Sequence, residues 1–307
     1  MLEIFLKTLP FFAIIGLGYG AGRAKFFTPE ATGYLTKFVF YFALSAMLFR
    51  FAANLSLSEI LDWTYVGAYF WATALIYLIV TAVAFARKLS VEEAAIEAQC
   101  SVIGNVGFLG VPLLVLLMGE AAIGPVMLTL AVDLIFFSSL VVILITGSRD
   151  GRMSLALLKT VGIGLIKNPM IVSIVLGFLW SAFKAPIPQP LNDFLSTLGG
   201  AATPGALFAI GASLASKSAE RMEVAIWLSF SKLILHPAAV AVSALWLFTV
   251  DTYSASVMIA AASLPVAGNV YMIAQHYGVA PARVSASILI STAVSVLSVS
   301  LVIGWLT

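Results

Sequence analysis

The amino-acid sequence predicts an all-α polytopic membrane protein: ten transmembrane helices in two inverted five-helix repeats, with spans 4 and 9 broken. Three observations carry this. Of 307 residues, 62% are hydrophobic and 10% charged, against about 25% charged in an average soluble domain. Apolar runs of about 20 residues, the length that crosses a bilayer as a helix, follow one another with short polar gaps. Finally, the stretch Ile103–Pro112, which holds Gly104, Asn105, Gly107, Gly110 and Pro112, has a counterpart near the other end of the chain, Leu264–Val270. The triplet Gly104-Asn105-Val106 recurs as Gly268-Asn269-Val270, at an offset of 164 residues.

Glycine, asparagine and proline are poor material for a continuous helix. In hydrocarbon a broken helix frees backbone N–H and C=O groups that protein, water or ligand must satisfy. Interrupted hydrophobic segments at matching places in two halves of a chain are the sequence sign of a transporter with a site at mid-membrane.

Taken in order, span 1 covers about residues 2–21, with Pro10 inside and glycines at 16, 18, 20 and 22, small residues that let another helix approach closely. Span 2 covers about 33–53 and span 3, rich in aromatics, 63–86. Span 4 starts near Glu93, breaks at Gly104-Asn105 and ends near Met118, and span 5 covers about 121–146. The longest polar connection, 147–159, divides the chain nearly in half. The units are therefore a first repeat (1–146), a cytoplasmic linker (147–160) and a second repeat (161–307). Span 6 covers about 162–183, with Asn168-Pro169 at its entrance. Span 7 (191–215) carries Gly199-Gly200 and Pro204-Gly205 and is expected to kink. Span 8 (224–250) holds Lys232, His236 and Pro237. Span 9 (254–277) breaks at Pro265–Asn269, and span 10 covers about 282–306.

Lys and Arg set the orientation. Arg23, Lys25, Arg87, Lys88, Arg149, Arg152, Lys159, Lys167, Lys217, Arg221 and Arg283 fall in the odd-numbered loops; Lys7, Arg50 and Lys184 lie in even loops or at a terminus. The odd loops are then cytoplasmic, and both termini face outside. Five spans per half is an odd number, so the second half runs through the membrane in the opposite sense. Two opposed broken helices place two half-helix N-termini near the midplane, where free N–H groups and partial positive charge suit an anion.

Other classes are poorly served. A net charge of +2 without a basic cluster gives no footprint for nucleic acid. Cys100 is the single cysteine, and His236 and His276 are isolated, so no metal or cofactor is expected. Gly16-Leu17-Gly18 follows no strand and lies in a membrane helix, which excludes a dinucleotide reading.

The candidate site residues are Asn105, Asn269, Gly104, Gly268, Pro112, Pro265, Asp133 and Asn54 for substrate, with Asp133, Lys232 and His236 for ion or proton coupling. The asparagines sit inside the breaks; helix-to-helix hydrogen bonding is the plainer alternative. Pro112 and Pro265 mark either crossing points or ordinary kinks. The glycines permit close packing, or offer N–H groups to substrate. Asp133 and Lys232 are intramembrane charges, functional by default; the alternative is a structural ion pair. His236 lies one turn after Lys232 on the same face, in reach of it or simply packed. Glu97 and Gln99, early in span 4, line a vestibule or, for Glu97, are solvated. Asn54 reaches inward from the end of span 2.

Span 4 (Gly104-Asn105-Val106-Gly107-Phe108-Leu109-Gly110-Val111-Pro112-Leu113), span 7 (Leu198 to Leu214, with Pro204 and the ending Leu207…Gly211-Ala212-Ser213-Leu214) and Lys232-Leu233-Ile234-Leu235-His236-Pro237 of span 8 together resemble bacterial members of the auxin efflux carrier family. The resemblance covers nearly the whole chain. It implies ten spans in two inverted repeats, spans 4 and 9 crossing at their breaks, and a scaffold and a crossover domain related to the bile acid/sodium symporter fold, often as a homodimer. It implies small carboxylates such as malate or malonate, or auxin-like acids, as substrates. By carry-over, Asn105 and Asn269 are the crossover residues and Asp133 is the polar span 5 position facing substrate. Two departures stand out: Ser45 replaces a proline common in span 2, which predicts a weaker bend there, and the long hydrophilic loop of plant auxin exporters is absent.

The leading functional expectation is a secondary transporter of small organic anions in the cell (inner) membrane, working by alternating access. Its partners are the carboxylate, the lipid bilayer, a second copy of the chain, and sodium or a proton. A sodium-coupled anion symporter of the bile-acid type and a channel or sensor on a carrier-like scaffold are the alternatives. A membrane enzyme lacks a nucleophile–base set in sequence. The orientation is checked by cysteine labelling on intact cells: probes attached beside both termini react from outside, and those in the 147–159 connection do not.

Overall fold

The computed structural model describes residues 2–55, 61–150, 155–184, 186–215 and 222–306. Among them every element is helical, apart from one isolated pair of extended residues. In chain order the helices are α1 (Leu2–Arg23), α2 (Pro29–Ala53) and α3 (Trp63–Ala86), α4 (Val91–Val102), α5 (Val106–Met118) and α6 (Glu120–Arg149), and α7 (Leu155–Lys167). There follow α8 (Pro169–Ala182), α9 (Gln189–Ala215), α10 (Met222–Leu247) and α11 (Thr252–Ala262), α12 (Gly268–Tyr277), and α13 (Pro281–Leu306).

Six of the described helices, α2, α3, α6, α9, α10 and α13, are each long and apolar enough to cross a membrane, and the bent pair 161–167 with α8 makes a seventh. Helices α5 and α11 are apolar but shorter. A helix needs about 20 residues to span the hydrocarbon, so each of these two covers only part of the depth.

The starts of the helices follow from their capping residues. Thr28 Oγ1 accepts from Ala31 N ahead of Pro29. Asp62 Oδ1 accepts from Thr64 N and Tyr65 N, and Asp251 Oδ1 from Tyr253 N and Ser254 N. Ser90 and Glu93 form a reciprocal capping box at α4. Each cap satisfies N–H groups that a first turn leaves without a helical partner.

Two sequence expectations change here. Span 6 is not one straight helix beginning at 162: α7 and α8 meet at Asn168 with a 70° bend. Pro169 lacks an N–H, and Asn168 Oδ1 caps the new helix by accepting from Met170 N at 3.0 Å. The polar connection is also shorter than its composition suggests, because α6 runs to Arg149 and α7 begins at Leu155. Arg152, Lys217 and Arg221, three of the charges used for orientation, lie outside the described residues.

The helices pack in two groups. In the first, α1 lies along α9, and α2 packs on both α8 and α9. In the second, α3 packs on α4 and α10, α4 on α6, and α10 on α11 and α13. The first group is held by backbone-to-backbone approach. A Cβ on Gly211 would stand 1.9 Å from Ile15 O, and one on Gly18 would stand 2.2 Å from Phe208 O. Close approach through small residues is how helices gain dispersion energy where lipid removes the hydrophobic drive between them. Gly211→Ala is therefore expected to push α1 from α9 and to destabilise by about 1–3 kcal/mol. The measurement is thermal melting in detergent. Gly16→Ala, with nothing within 4 Å of the new methyl group, serves as the control that does not lower the melting temperature.

Candidate functional site

The site is built around two breaks that pair with each other. Between α4 and α5 the chain is extended at Ile103; between α11 and α12 it passes through Pro265, Val266 and Ala267 before helix resumes at Gly268. Gly104 and Val266 form an antiparallel bridge. Asn105 N donates to Pro265 O at 2.8 Å, and Ala267 N donates to Ile103 O at 3.0 Å. Each break thus satisfies backbone groups that the other has freed. Further partners are local: Val266 N donates to Ser291 Oγ of α13 at 3.1 Å, and Asn105 O accepts from Leu109 N and Gly110 N. Pro112 follows directly on the π turn Val106–Gly110, at the start of the regular part of α5.

The helices leaving the breaks begin without side-chain caps, at Asn105 for α5 and at Ala267 for α12. Val106 N is taken by Gly104 O and Val270 N by Ala267 O, while the positive ends of both helix dipoles lie where the breaks meet. Asn105 is buried, and Asn269 is half-buried with its Oδ1 enclosed and without a partner. A Cβ on Gly268 would meet open space, whereas one on Gly104 would stand 3.3 Å from Lys232 Nζ. The glycine at 104 is what lets the lysine head reach the break.

Lys232 is fully buried in α10. Its ammonium donates to Ala262 O, the last residue of α11, and lies 3.3 Å from His236 Nδ1. An ammonium only donates, so Nδ1 accepts and the imidazole proton sits on Nε2, which donates to Thr73 Oγ1 at 3.1 Å. The Tyr69 ring lies edge-on to His236 with centroids 5.9 Å apart, and Tyr69 donates to Asp133 Oδ1 at 2.9 Å. Asp133 Oδ2 is buried without a partner. Polar side chains therefore run from Asp133 past Tyr69 and Thr73 of α3 to His236, Lys232 and the break, with a ring contact between Tyr69 and His236. The direct Asp133–Lys232 ion pair is not formed: a tyrosine and a histidine stand between the two charges, and each charge takes a different partner.

Sequence reading missed the α3 side of this path. Tyr65, Tyr69, Thr73 and Tyr77 recur every four residues and are all buried. Tyr65 hydrogen-bonds Thr129 at 2.7 Å, and Tyr77 donates to Ala95 O at 3.2 Å. The i, i+4 spacing of hydroxyls on one helix face was the available signal.

Glu97 is also corrected. It is not solvated but 1% exposed. Its two oxygens take Arg87 Nη1 at 2.7 Å and Arg283 Nη1 at 2.6 Å, while Arg283 Nη2 reaches Glu93 at 3.1 Å. On the exposed side Arg149 grips Glu92 at 2.8 Å and Tyr277 O at 2.7 Å. Three arginines from α13, α6 and the C-terminal cap of α3 thus pin the first half of the broken span. Gln99, fully buried one turn before the break, has neither amide atom partnered. Asn54 stands apart from the site: it is exposed, and its side chain donates to Arg50 O at 2.7 Å, closing the end of its own helix.

Removing the Glu97 charge leaves Arg283 buried with only half-exposed Glu93 for company. Glu97→Gln is therefore expected to cost on the order of 3 kcal/mol, read as a lowered melting temperature, while Glu92→Gln, in an exposed pair, costs about 0–1 kcal/mol.

Comparison with known proteins agrees with this architecture. The family model described as membrane transport protein matches residues 3–303. A protein of Rhizobium meliloti (strain 1021) described as "Putative malonate transporter" is 30% identical over 306 residues, covering 98% of this chain and 95% of that protein. A multi-pass helical chain matched from end to end in this way belongs to the membrane transport protein family, that of the auxin efflux carriers.

Proposed function

We propose that this chain is a secondary carrier for small carboxylates, built as ten spans in two inverted five-helix repeats, which binds its substrate where the two breaks meet and works by alternating access. The observation that carries the reading is the mutual pairing of residues 103–105 with 265–267 beneath two uncapped helix starts. In the ten-span reading, α4 with α5 forms span 4, and α11 with α12 forms span 9. The repeats are 1–146 and 161–307, with the connection 147–160 and the odd loops cytoplasmic and both termini outside. The first helix group (α1, α2, α8, α9) then acts as scaffold, and the second carries the site.

Two uncapped helix N-termini and the nearby Lys232 ammonium give a positive potential without a metal, which suits a carboxylate. The name of the similar protein makes malonate the first probe to use. Asn105 and Asn269 supply the neutral hydrogen-bonding groups that fix the orientation of an anion. Asp133 is placed to couple transport to a cation or proton, because its second oxygen is an enclosed acceptor with no donor.

Asn105→Ala and Asn269→Ala are each expected to weaken malonate binding on the order of tenfold or more, the equivalent of about 1.5–3 kcal/mol for a hydrogen bond to a charged group. Binding to the detergent-purified protein measures this. Unchanged affinity in both variants, with both folded, places the substrate elsewhere.

Asp133→Asn is expected to retain malonate binding while losing dependence on the driving gradient. Uptake into proteoliposomes, with sodium and proton gradients imposed separately, measures the coupling. A variant that still concentrates malonate against its gradient under either ion removes Asp133 from the coupling role.

A further inference from the structure

One apolar cleft lies away from the breaks. It lies on the outer side of the α3–α6 pair, has a volume of about 390 Å³, and includes Phe70, Ala74, Leu78, Ile135, Phe136 and Ser139 in its wall. We infer that this cleft is a binding site for the acyl chain of a membrane lipid.

Its depth is the first argument. Phe70 to Leu78 form the middle of α3, and Ile135 to Ile143 lie well inside α6, both helices long and apolar enough to cross the membrane. A cleft at that level faces hydrocarbon, out of reach of water and of lipid headgroups. Its volume falls within the range of about 300–1,000 Å³ usual for small-molecule sites, and an open groove of this kind, left empty, forfeits dispersion contacts along its walls.

The chemistry of the wall selects a flexible chain over a second helix. Helices that associate in lipid present small residues, as the α1–α9 contact does with Gly18 and Gly211. Here the rim is Leu78, Ile135 and Phe136, all bulky and exposed. They hold a helix backbone away and leave a slot for methylenes. The wall carries no charge, and the Tyr77 hydroxyl within it is turned inward onto Ala95 O. Rings in edge-on and tilted contact line it: Phe70 lies 5.4 Å from Phe136 and 5.5 Å from Phe137, and Tyr77 lies 6.1 Å from Phe137, centroid to centroid.

The cleft also backs onto the polar path. Ile135, Phe136 and Phe137 belong to the same π-helical turn, Asp133–Phe137, that aims Asp133 at Tyr69. An acyl chain in the groove packs against the outer side of that turn.

The test uses the full chain in liposomes of phosphatidylcholine carrying a diazirine at mid-chain, with adducts mapped by mass spectrometry after irradiation. Adducts are expected to concentrate on Phe70, Leu78 and Phe136 relative to Leu179 and Leu301, which are exposed elsewhere on the helices. Ala74→Trp, which fills the slot, should abolish that concentration. A diazirine in the headgroup should not label the cleft. Equal labelling of cleft and control residues in the unsubstituted protein overturns the inference, as does headgroup labelling of the cleft. Cross-links from Phe70 or Leu78 to another copy of the chain would place a second copy there and overturn it as well. None of these readings depends on the carboxylate site being correct.

Discussion

The constraint on which the structure rests is that backbone polar groups interrupted within a membrane must find partners inside the protein. Unpaired N–H and C=O groups in hydrocarbon cost several kcal/mol each. This chain meets the constraint by placing two interruptions against each other, so that Asn105 N and Pro265 O, Ala267 N and Ile103 O, complete one another. Neither break is stable alone. A change that separates them frees four groups at once, which makes the meeting point a structural rivet. Site and fold are not separable in the proposed reading: the geometry that satisfies the carbonyls also brings the starts of α5 and α12 together.

Charge is distributed around this point in two distinct ways. The glutamates of α4 are saturated: Glu97 has an arginine on each oxygen, and Glu92 and Glu93 have one each. Such pairs hold geometry, since an arginine fork fixes direction as well as distance. The inner charges are arranged otherwise. Lys232 leans on a carbonyl and a neutral imidazole, and Asp133 on a tyrosine, with one carboxylate oxygen left over. Charges held apart, with unspent hydrogen-bonding capacity, can respond to an arriving ion; a saturated ring of pairs cannot. The outer network therefore keeps α4 in place while the inner one remains able to change partners.

The breaks and the buried charges were legible in the sequence because their signals are local: Gly, Asn and Pro within a few residues, or a Lys inside an apolar run. Their partners were not. The groups that complete Asn105 and Ile103 are backbone atoms of another segment, which carry no residue-specific mark. Glu97 was left between a vestibule wall and a solvated face, because its partner Arg283 is 186 residues away. The bend at Asn168 was signalled by the proline after it, yet the hydropathy of 162–183 reads straight through. The hydroxyl stripe of α3 lay hidden under the general aromatic richness of that span. Substrate identity is less legible still, because dipoles and amides recognise a carboxylate without specifying what it is attached to.

The same backbone logic accounts for Ser45, where the resemblance led us to expect a proline. A proline bends a helix by deleting a donor and displacing a carbonyl. Here α2 instead carries a π-helical turn at Val39–Ala43, and Ser45 Oγ donates to Phe40 O at 3.1 Å, five residues back. Helix α6 repeats the device: a π-helical turn covers Asp133–Phe137, and Ser138 Oγ donates to Asp133 O at 3.0 Å. A π turn inserts one residue and shifts the hydrogen-bond ladder locally from i→i−4 to i→i−5; in α6 the Ser138 N–H takes the Asp133 carbonyl in this way, and the Ser138 hydroxyl is a second donor to the same oxygen. Serine therefore goes with a widened turn in α2, not with a proline's deleted hydrogen bond. In α6 the inserted residue also rotates the following face by about 100° relative to an uninterrupted helix. Within this turn Asp133 reaches inward to Tyr69, while Ile135 and Phe136, two and three residues later, are exposed on the outer side.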